Sequence, residues 1–450
     1  MSSDPLPHSP SRYRWVILAV LCMVAFVLYV DRINISVSAP HIAAEFNLSS
    51  QSLGNVLSAF LFGYAFGLVP GGWLADRFGA HRVLTVAGIF WAVLTALIGF
   101  TPSAIARTQY AGTALFVMRF LLGVAEACAY PTFARALANW MRRSERAMAS
   151  GLIHMGSNLG GIFTPVFIAF VISHLGWRHS FLLSAVITFA AVFCWWQTGT
   201  DEPSQNPRVS PSELRLIESE REELQLEKTD LIWFKRLARS REAYMLCVSC
   251  FFMGISGFVF LTWFYTYLVQ VRGISDLYSA ALTSLIYLTG AVGALFGGIL
   301  CDASVKSWGS PWGRRIVPLV SMIASGLLCI VAPLIRNNTG SAVLFAVAAG
   351  LQVVPAPAFW ATIIDITRRG PAIVGGFMNG LGNLGAALGT ILFPWLVSRL
   401  DWQLALQVAG SAGIISGLLW LLIDSARQID SVPPAEMPSI SLSGRVRATS

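Results

Sequence analysis

Four ionisable side chains stand inside long apolar stretches, Asp31 and Arg32 in one and Arg119 and Glu126 in another. Sixteen uncharged residues, Trp15 to Val30, precede Asp31, and Arg119 and Glu126 fall near the middle of the stretch from Ala111 to Ala134. At the centre of a bilayer a charged side chain costs about 2.5–3.5 kcal/mol on insertion scales, so it persists where it faces a cavity and has a partner. Carboxyl groups exchange protons and guanidinium groups hold anions. Two of each point to a site that handles both.

Helical spacing separates their roles. Tyr29, Arg32 and Ser36 share one face, whereas Asp31 is turned about 100° from Arg32, so the two neighbours need not neutralise each other. Arg119, Gly123, Glu126 and Tyr130 share a face of the other segment. Arg119 and Glu126 stand about 10 Å apart along the axis, too far for a close pair but suited to flanking a cavity. Gly123 between them either leaves room for a ligand or is a helix-packing contact.

The elements that must carry these residues are membrane helices. The chain has 450 residues, 55% hydrophobic and 12% charged, with mean hydropathy +0.64. Soluble domains carry about 25% charged residues, so the expectation is an integral membrane protein. Apolar runs of helix-spanning length fall at 15–38, 51–74, 83–101, 111–135, 150–172, 178–198, 243–270, 279–301, 316–335, 340–366, 371–398 and 404–424. The fold class is therefore all-α polytopic with twelve transmembrane helices; a transmembrane barrel would need short alternating strands.

The net charge of +8 does not imply nucleic-acid binding. With the tail before the first span in the cytoplasm, 23 of the 31 Lys and Arg fall on that side, and only Arg107, Arg178, Arg272, Arg336 and Arg399 on the other. This positive-inside bias places both termini in the cytoplasm. Arg12 and Arg14 before an apolar run that ends near Val37-Ser38-Ala39 resemble a signal peptide. The run is too long for one and is interrupted by Asp31, Arg32 and Asn34, so a retained first helix is expected. All seven Cys lie in or at the ends of apolar segments, and Cys247-Val-Ser-Cys250 reads as packing rather than redox chemistry.

The chain repeats at half its length. Ser157-Asn158-Leu159-Gly160 recurs as Gly382-Asn383-Leu384-Gly385, and Gly176-Trp177 recurs as Asp401-Trp402, both at an offset of 225 residues. Gly72-Trp-Leu-Ala-Asp76 recurs as Gly298-Ile-Leu-Cys-Asp302 at 226. Two six-helix halves in the same orientation follow, with a site expected at their interface near the midplane. The expected units are a tail at 1–14, halves at 15–198 and 243–424, a cytoplasmic linker at 199–242 and a tail at 425–450. The linker holds 18 charged residues in 44. Ser210-Pro-Ser-Glu213 reads as a capping box opening a helix to about Lys228, whose Glu/Arg alternation suggests a solvated face. The C-terminal tail, rich in Ser, Pro and Arg, reads as disordered.

Between the second and third spans stands Gly71-Gly72-Trp73-Leu74-Ala75-Asp76-Arg77-Phe78-Gly79-Ala80-His81-Arg82. Gly79 permits a tight turn, and Asp76 with Arg82 forms a charge pair able to latch one helix on another. The segment resembles the loop motif of the major facilitator superfamily, G-x-L-a-D-r-x-G-x-x-r. That resemblance implies a cytoplasmic gate latch built from Gly72, Asp76, Arg77, Gly79 and Arg82, with Asp302 in the degenerate second copy.

Tyr29-x-Asp31-Arg32-x-Asn34, the Arg119…Glu126 pair, and Phe260-Leu-Thr-Trp263-Phe with Tyr267-Leu-Val are similar to the anion:cation symporter branch of that superfamily. The branch includes bacterial hexuronate, galactonate and phthalate-type carriers and vesicular glutamate and sialic-acid transporters. It implies that Arg32 and Arg119 bind the substrate carboxylate or switch pairing, that Asp31 and Glu126 couple protons, and that Asn383 and Asn379 make polar contacts. Most of the fifteen Trp suit interfacial belts, while Trp263 and Tyr29 are candidates to line the cavity and bind substrate. The vesicular members carry an Arg in the seventh span; none occurs here between Tyr244 and Gln270, and Tyr265 stands where many relatives have Pro. Those departures favour the bacterial organic-anion subgroup.

The expectation is a proton-coupled symporter in the bacterial inner membrane, importing a small carboxylate such as a sugar acid or aromatic acid by alternating access. It is expected to be a monomer in the lipid bilayer, with no metal, cofactor or nucleic acid, and not an enzyme: the sequence has no metal-ligand cluster or Ser/His/Asp set. The alternative is a proton-coupled exporter of drugs or siderophores, whose helix-5 motif Gly160-Gly161-Ile-Phe-Thr164-Pro165 only partly resembles. His154 suits packing more than a proton relay, and Asp365 with Arg368 and Arg369 suits a topological anchor. The four intramembrane charges lie in one half only, since helices 7 and 10 carry no comparable pairs. Coupling and anion capture are therefore expected in the N-terminal half, and specificity from Asn383 and its neighbours in the other.

Overall fold

The computed structural model describes residues 11–101, 110–142, 145–219, 240–367 and 371–427. Among them twelve helices are long and apolar enough to cross a membrane. In the N-terminal half these are α1 (Tyr13–Phe46), α2 (Ser50–Phe78), α3 (Ala80–Gly99), α4 (Ala111–Trp140), α5 (Met148–Leu175) and α6 (Trp177–Thr198). In the C-terminal half they are α7 (Arg241–Thr262), α8 (Asp276–Gly309), α9 (Pro311–Leu334), α10 (Asn338–Ile363), α11 (Val374–Arg399) and α12 (Trp402–Leu422). Each expected span has its helix. Several run longer than their apolar stretch because capping, not hydropathy, ends them. Asn47 closes α1 in the left-handed conformation (φ 48°), and the Ser49 hydroxyl accepts the Ser52 N–H to open α2.

The repeat seen in sequence is a packing repeat. A Cβ added at Gly160 of α5 would collide with the Phe26 carbonyl of α1, and one at Gly385 of α11 with the Phe251 carbonyl of α7. Both members of the contact recur at an offset of 225. Small residues let membrane helices approach backbone to backbone, where dispersion rather than hydrophobicity holds them.

The face carrying residues 11–14 and the linker is called the linker side, and the opposite face the far side. Near the far side the Ser36 hydroxyl donates to the Leu261 carbonyl at 2.8 Å, and the Gln51 amide to the Ile391 carbonyl at 3.0 Å. His41 also lies 3.4 Å from Asp276 there. These contacts join the two halves on the far side.

The linker leaves Arg215 and Glu218 exposed but turns Glu213 inward. Its described helix is Pro211–Glu218, opened by the Ser210 hydroxyl accepting the Glu213 N–H at 3.2 Å, and residues 220–239 lie outside the described residues. The Glu213 side chain does not complete a capping box. It is fully buried, accepts the Tyr13 N–H and pairs with Arg14 at 3.0 Å; Arg14 in turn meets Glu145 at 3.1 Å. Burial pushes the Glu145 carboxyl up, but Arg142 and Arg14 outweigh it and hold it below the usual carboxylate range. This clamp docks the linker helix on the N-terminal half.

Candidate functional site

α1 and α4 bring three of the four buried charges to one place. Arg32 Nε donates to Glu126 Oε2 at 2.8 Å, closing a pair 94 residues apart in sequence. Glu126 is fully buried and Arg119 is 2% exposed. The Arg32 guanidinium lies 4.5 Å from the centre of the Tyr64 ring, 5.3 Å from Phe60 and 5.6 Å from Tyr29. Arg119 lies 4.7 Å from Phe60. Aromatic faces attract desolvated cations by about 2 kcal/mol or more, so α2 lowers the cost of holding two guanidinium groups at bilayer depth. Just after Glu126 the helix tightens, Cys128 N–H bonding the Ala125 carbonyl three residues back.

A cavity of about 90 Å³ opens against these groups, and both halves line it. Tyr29, Arg32, Tyr64 and Arg119 face it from one half, Tyr287 and Asn383 from the other. Gly161 admits the Tyr287 ring, whose edge would lie 2.5 Å from a Cβ at that position. Five buried polar atoms of the four charged residues have no hydrogen-bond partner among the described residues: Arg32 Nη2, Arg119 Nε and Nη1, Glu126 Oε1 and Asp31 Oδ1. An unmet buried donor costs about 1–3 kcal/mol, more when charged. A fold retains such groups where a ligand satisfies them, and three of the five are guanidinium nitrogens. The chemistry on offer is anion capture beside a carboxylate that competes for the same cation.

Asp31 is the fourth charge and takes a different direction. It is 1% exposed, and its Oδ2 accepts the Thr188 hydroxyl of α6 at 2.7 Å. The 100° offset from Arg32 is thus realised as two different partners.

Other expected site residues sort clearly. Asn383 lines the cavity, but Asn379 does not; its side-chain carbonyl accepts the Asn383 amide at 3.0 Å and so orients it. Gly123 is the packing contact rather than the ligand gap, since a Cβ there would collide with the Phe60 carbonyl and lie 2.8 Å from the Tyr64 nitrogen. Trp263 lies away from the cavity, its Nε1 donating to the Thr390 carbonyl at 3.2 Å and its ring packed on Phe393 and Trp402. His154 stacks on Tyr130 at 5.3 Å.

The loop motif lies at the linker side. Asp76 reaches Arg135 of α4 at 3.9 Å rather than Arg82, and Arg77 packs over Trp73 at 5.3 Å. Gly79, at φ 86°, makes room for Asp201, which accepts the His81 N–H at 2.8 Å and so caps α3. Arg82, Asp302 and Asp76 are exposed, and Gly72 is half-buried. Asp365 pairs with Arg314 at 3.0 Å, while Arg368 and Arg369 lie outside the described residues.

The aromatic wall of Phe60, Tyr64 and Tyr287, and Thr188 behind Asp31, were not singled out in sequence. For Thr188 a signal exists: Ser180, Ser184 and Thr188 recur every fourth residue along an apolar helix.

Comparison with known proteins agrees with this architecture. The Major Facilitator Superfamily profile matches residues 21–337 and 305–448. A probable sulfoacetate transporter of Cupriavidus necator is 31% identical over 423 residues, covering 93% of this chain and 95% of that protein. A probable galactarate/D-glucarate transporter of Escherichia coli K12 is 29% identical, covering 91% and 94%. A hexuronate transporter of Bacillus subtilis is 25% identical, covering 93% and 94%. Among solved structures, an inward-facing, unoccupied bacterial homologue of the human lysosomal transporter Spinster superposes with TM-score 0.77 at 18% identity, covering 95% of this chain and all of that one. A D-xylose-proton symporter superposes with TM-score 0.71 at 15% identity, covering 92% and 99%.

Proposed function

The chain belongs to the Major Facilitator Superfamily, and on that premise we propose that it imports a small organic anion together with protons by alternating access. The observation that carries this reading is the Arg32–Glu126 pair at 2.8 Å on the cavity wall, with unmet N–H groups of both arginines beside it. Glu126 and a substrate carboxylate compete for one guanidinium. Protonating Glu126 releases Arg32 to the substrate, and expelling the substrate returns Arg32 to the ionised acid. Asp31 is the second coupling acid.

The substrate is a small acid with one or more carboxylate or sulfonate groups. Relatives named for galactarate, glucarate, hexuronate and sulfoacetate support that class. Asn383, held by Asn379, meets the hydroxyl or second acidic group from the C-terminal half. A cavity of about 90 Å³ is well under the roughly 300–1,000 Å³ of ligand sites. A sugar acid therefore enters as the halves part, and the loop at Asp76 serves as the latch that rearranges.

The linker side is the cytoplasm, as the distribution of Lys and Arg indicates, and the protein works as a monomer in a bacterial inner membrane. Each net positive charge moved inward gains about 2.3 kcal/mol per 100 mV, so carrying more protons than anionic charges drives accumulation.

Proteoliposomes with an imposed pH gradient test the reading. With galactarate and sulfoacetate as the offered anions, Glu126→Gln retains anion exchange and loses proton-driven accumulation. Normal accumulation by that variant would refute proton coupling through Glu126.

A further inference from the structure

Behind Asp31, away from the cavity, runs a buried polar seam between α1 and α6. Asp31, Asn34 and Ser38 face Thr188, Ser184 and Ser180 in antiparallel register, each of the six at most 1% exposed. Thr188 donates to Asp31 at 2.7 Å, the Asn34 amide to Ser184 at 3.1 Å, and Ser180 to the Asn34 carbonyl at 2.8 Å. Ser38 also donates to the Asn34 carbonyl, at 2.9 Å. Nearer the far side the same helices end on Trp177 donating to Glu45 at 2.7 Å.

Helix packing alone does not call for this seam. Positions 225 residues on, Ser256 and Val259 of α7, Trp263 just after it, and Gly413, Ala409 and Ala405 of α12, replace it with small or apolar groups. That pair's own hydroxyl contact, Ser249 with Ser416, sits elsewhere along the helices. What distinguishes the α1–α6 interface is the carboxylate. The charged groups acting on Asp31 are Glu126 and Arg119, both from α4, while α6 offers it only a hydroxyl. Arg32, on its own helix, is committed to Glu126.

We propose that Thr188 is a positioning residue for proton coupling: its hydroxyl holds the Asp31 carboxylate out of the substrate cavity and sets the pH at which that carboxylate takes its proton. The proposal rests on the reading of Asp31 as a coupling acid. A hydroxyl donated to a carboxylate favours the ionised form. Without it Asp31 takes its proton at higher pH, while the anion site, which Thr188 does not line, keeps its shape. The Asp31 proton and the substrate thus occupy separate compartments that communicate through the fields of Glu126 and Arg119.

The test needs no substrate. In full-length protein in lipid, the infrared band of a protonated carboxyl is titrated with pH, and Asp31 is identified by the band lost in Asp31→Asn. Thr188→Val moves the midpoint up by about one pH unit, the size expected of one charge-assisted hydrogen bond. Thr188→Ser restores it, and Ser184→Ala, which removes a hydroxyl not bonded to Asp31, leaves it in place. If Thr188→Val does not fold, Thr188→Ala gives the same reading. A midpoint unchanged in Thr188→Val and Thr188→Ala overturns the positioning role and leaves the coupling reading standing. Absence of any titrating band lost in Asp31→Asn overturns the coupling role of Asp31, and the proposal with it.

Discussion

The two halves share a scaffold but not a chemistry. Gly160 against Phe26 and Gly385 against Phe251 are the same contact made twice. Yet Asp31 and Arg32 correspond, 225 residues on, to Ser256 and Gly257, and Thr188 corresponds to Gly413. Glu126 corresponds at 226 to Gln352. That amide stands beside Gly257 as Glu126 stands beside Arg32: its nitrogen lies 3.3 Å from where a Gly257 Cβ would be, and it donates to the Met253 carbonyl at 3.0 Å. The second half keeps the geometry of an acid–base pair and none of its charge. Close packing is needed in both halves, so it is repeated. Buried charge is expensive in a membrane, and among the described residues the charges beside the cavity come from the N-terminal half alone. The C-terminal half contributes neutral groups to the cavity instead, Tyr287 and Asn383.

That contrast can be broken by experiment. The largest effect is expected from Arg119→Ala, which removes an unmet guanidinium from the cavity and leaves Glu126 and Asp31 less compensated. Affinity for galactarate or sulfoacetate should fall at least a hundredfold, equivalent to about 2.8 kcal/mol, by equilibrium binding. Full affinity in that variant would mean that the anion site lies elsewhere.

Next come Gly160→Ala and Gly385→Ala, which probe the shared scaffold. Overpacking costs about 1–3 kcal/mol, and the two variants should lose thermal stability by similar amounts. A large disparity would show that the halves do not share their packing. Gln352→Leu should cost about 1 kcal/mol of stability, the worth of a neutral hydrogen bond, with proton-driven accumulation intact. Loss of coupling there would return the C-terminal half to the proton mechanism.

The smallest effect concerns the linker clamp. The Glu145 carboxyl is held below its ordinary value by Arg142 and Arg14. Its contribution is therefore present above the usual carboxylate pKa of about 4.3 and lost only as pH falls through the lower folded value. Glu145→Gln should destabilise the protein slightly at neutral pH, and the difference from wild type should vanish toward pH 3 in thermal melts. A difference that grows on acidification would contradict the clamp.

Much of this was legible in sequence for a physical reason. A bilayer tests each segment alone for length and apolarity, so the twelve spans follow from local composition. The half-chain repeat and the buried charges are equally local, and so is the angle between Asp31 and Arg32. Legibility stopped where a residue's role depends on what lies across from it. Gly123 was equally compatible with a ligand gap and a helix contact until the Phe60 carbonyl was found against it. Asp76 and Arg82 share a loop, but Asp76 points to Arg135. Ser210 and Glu213 have the spacing of a capping box, but Glu213 is buried on Arg14.

From its own composition and periodicity the chain sets out an all-α membrane protein of two repeated halves with acids and bases stranded in one of them. Which acid meets which base belonged to three dimensions. The Arg32–Glu126 pair spans 94 residues and Asp31 finds Thr188 across 157. A helix fixes only the direction in which a side chain leaves it; the partner is chosen by the packing of whole helices, and that packing depends on contacts made along their full length.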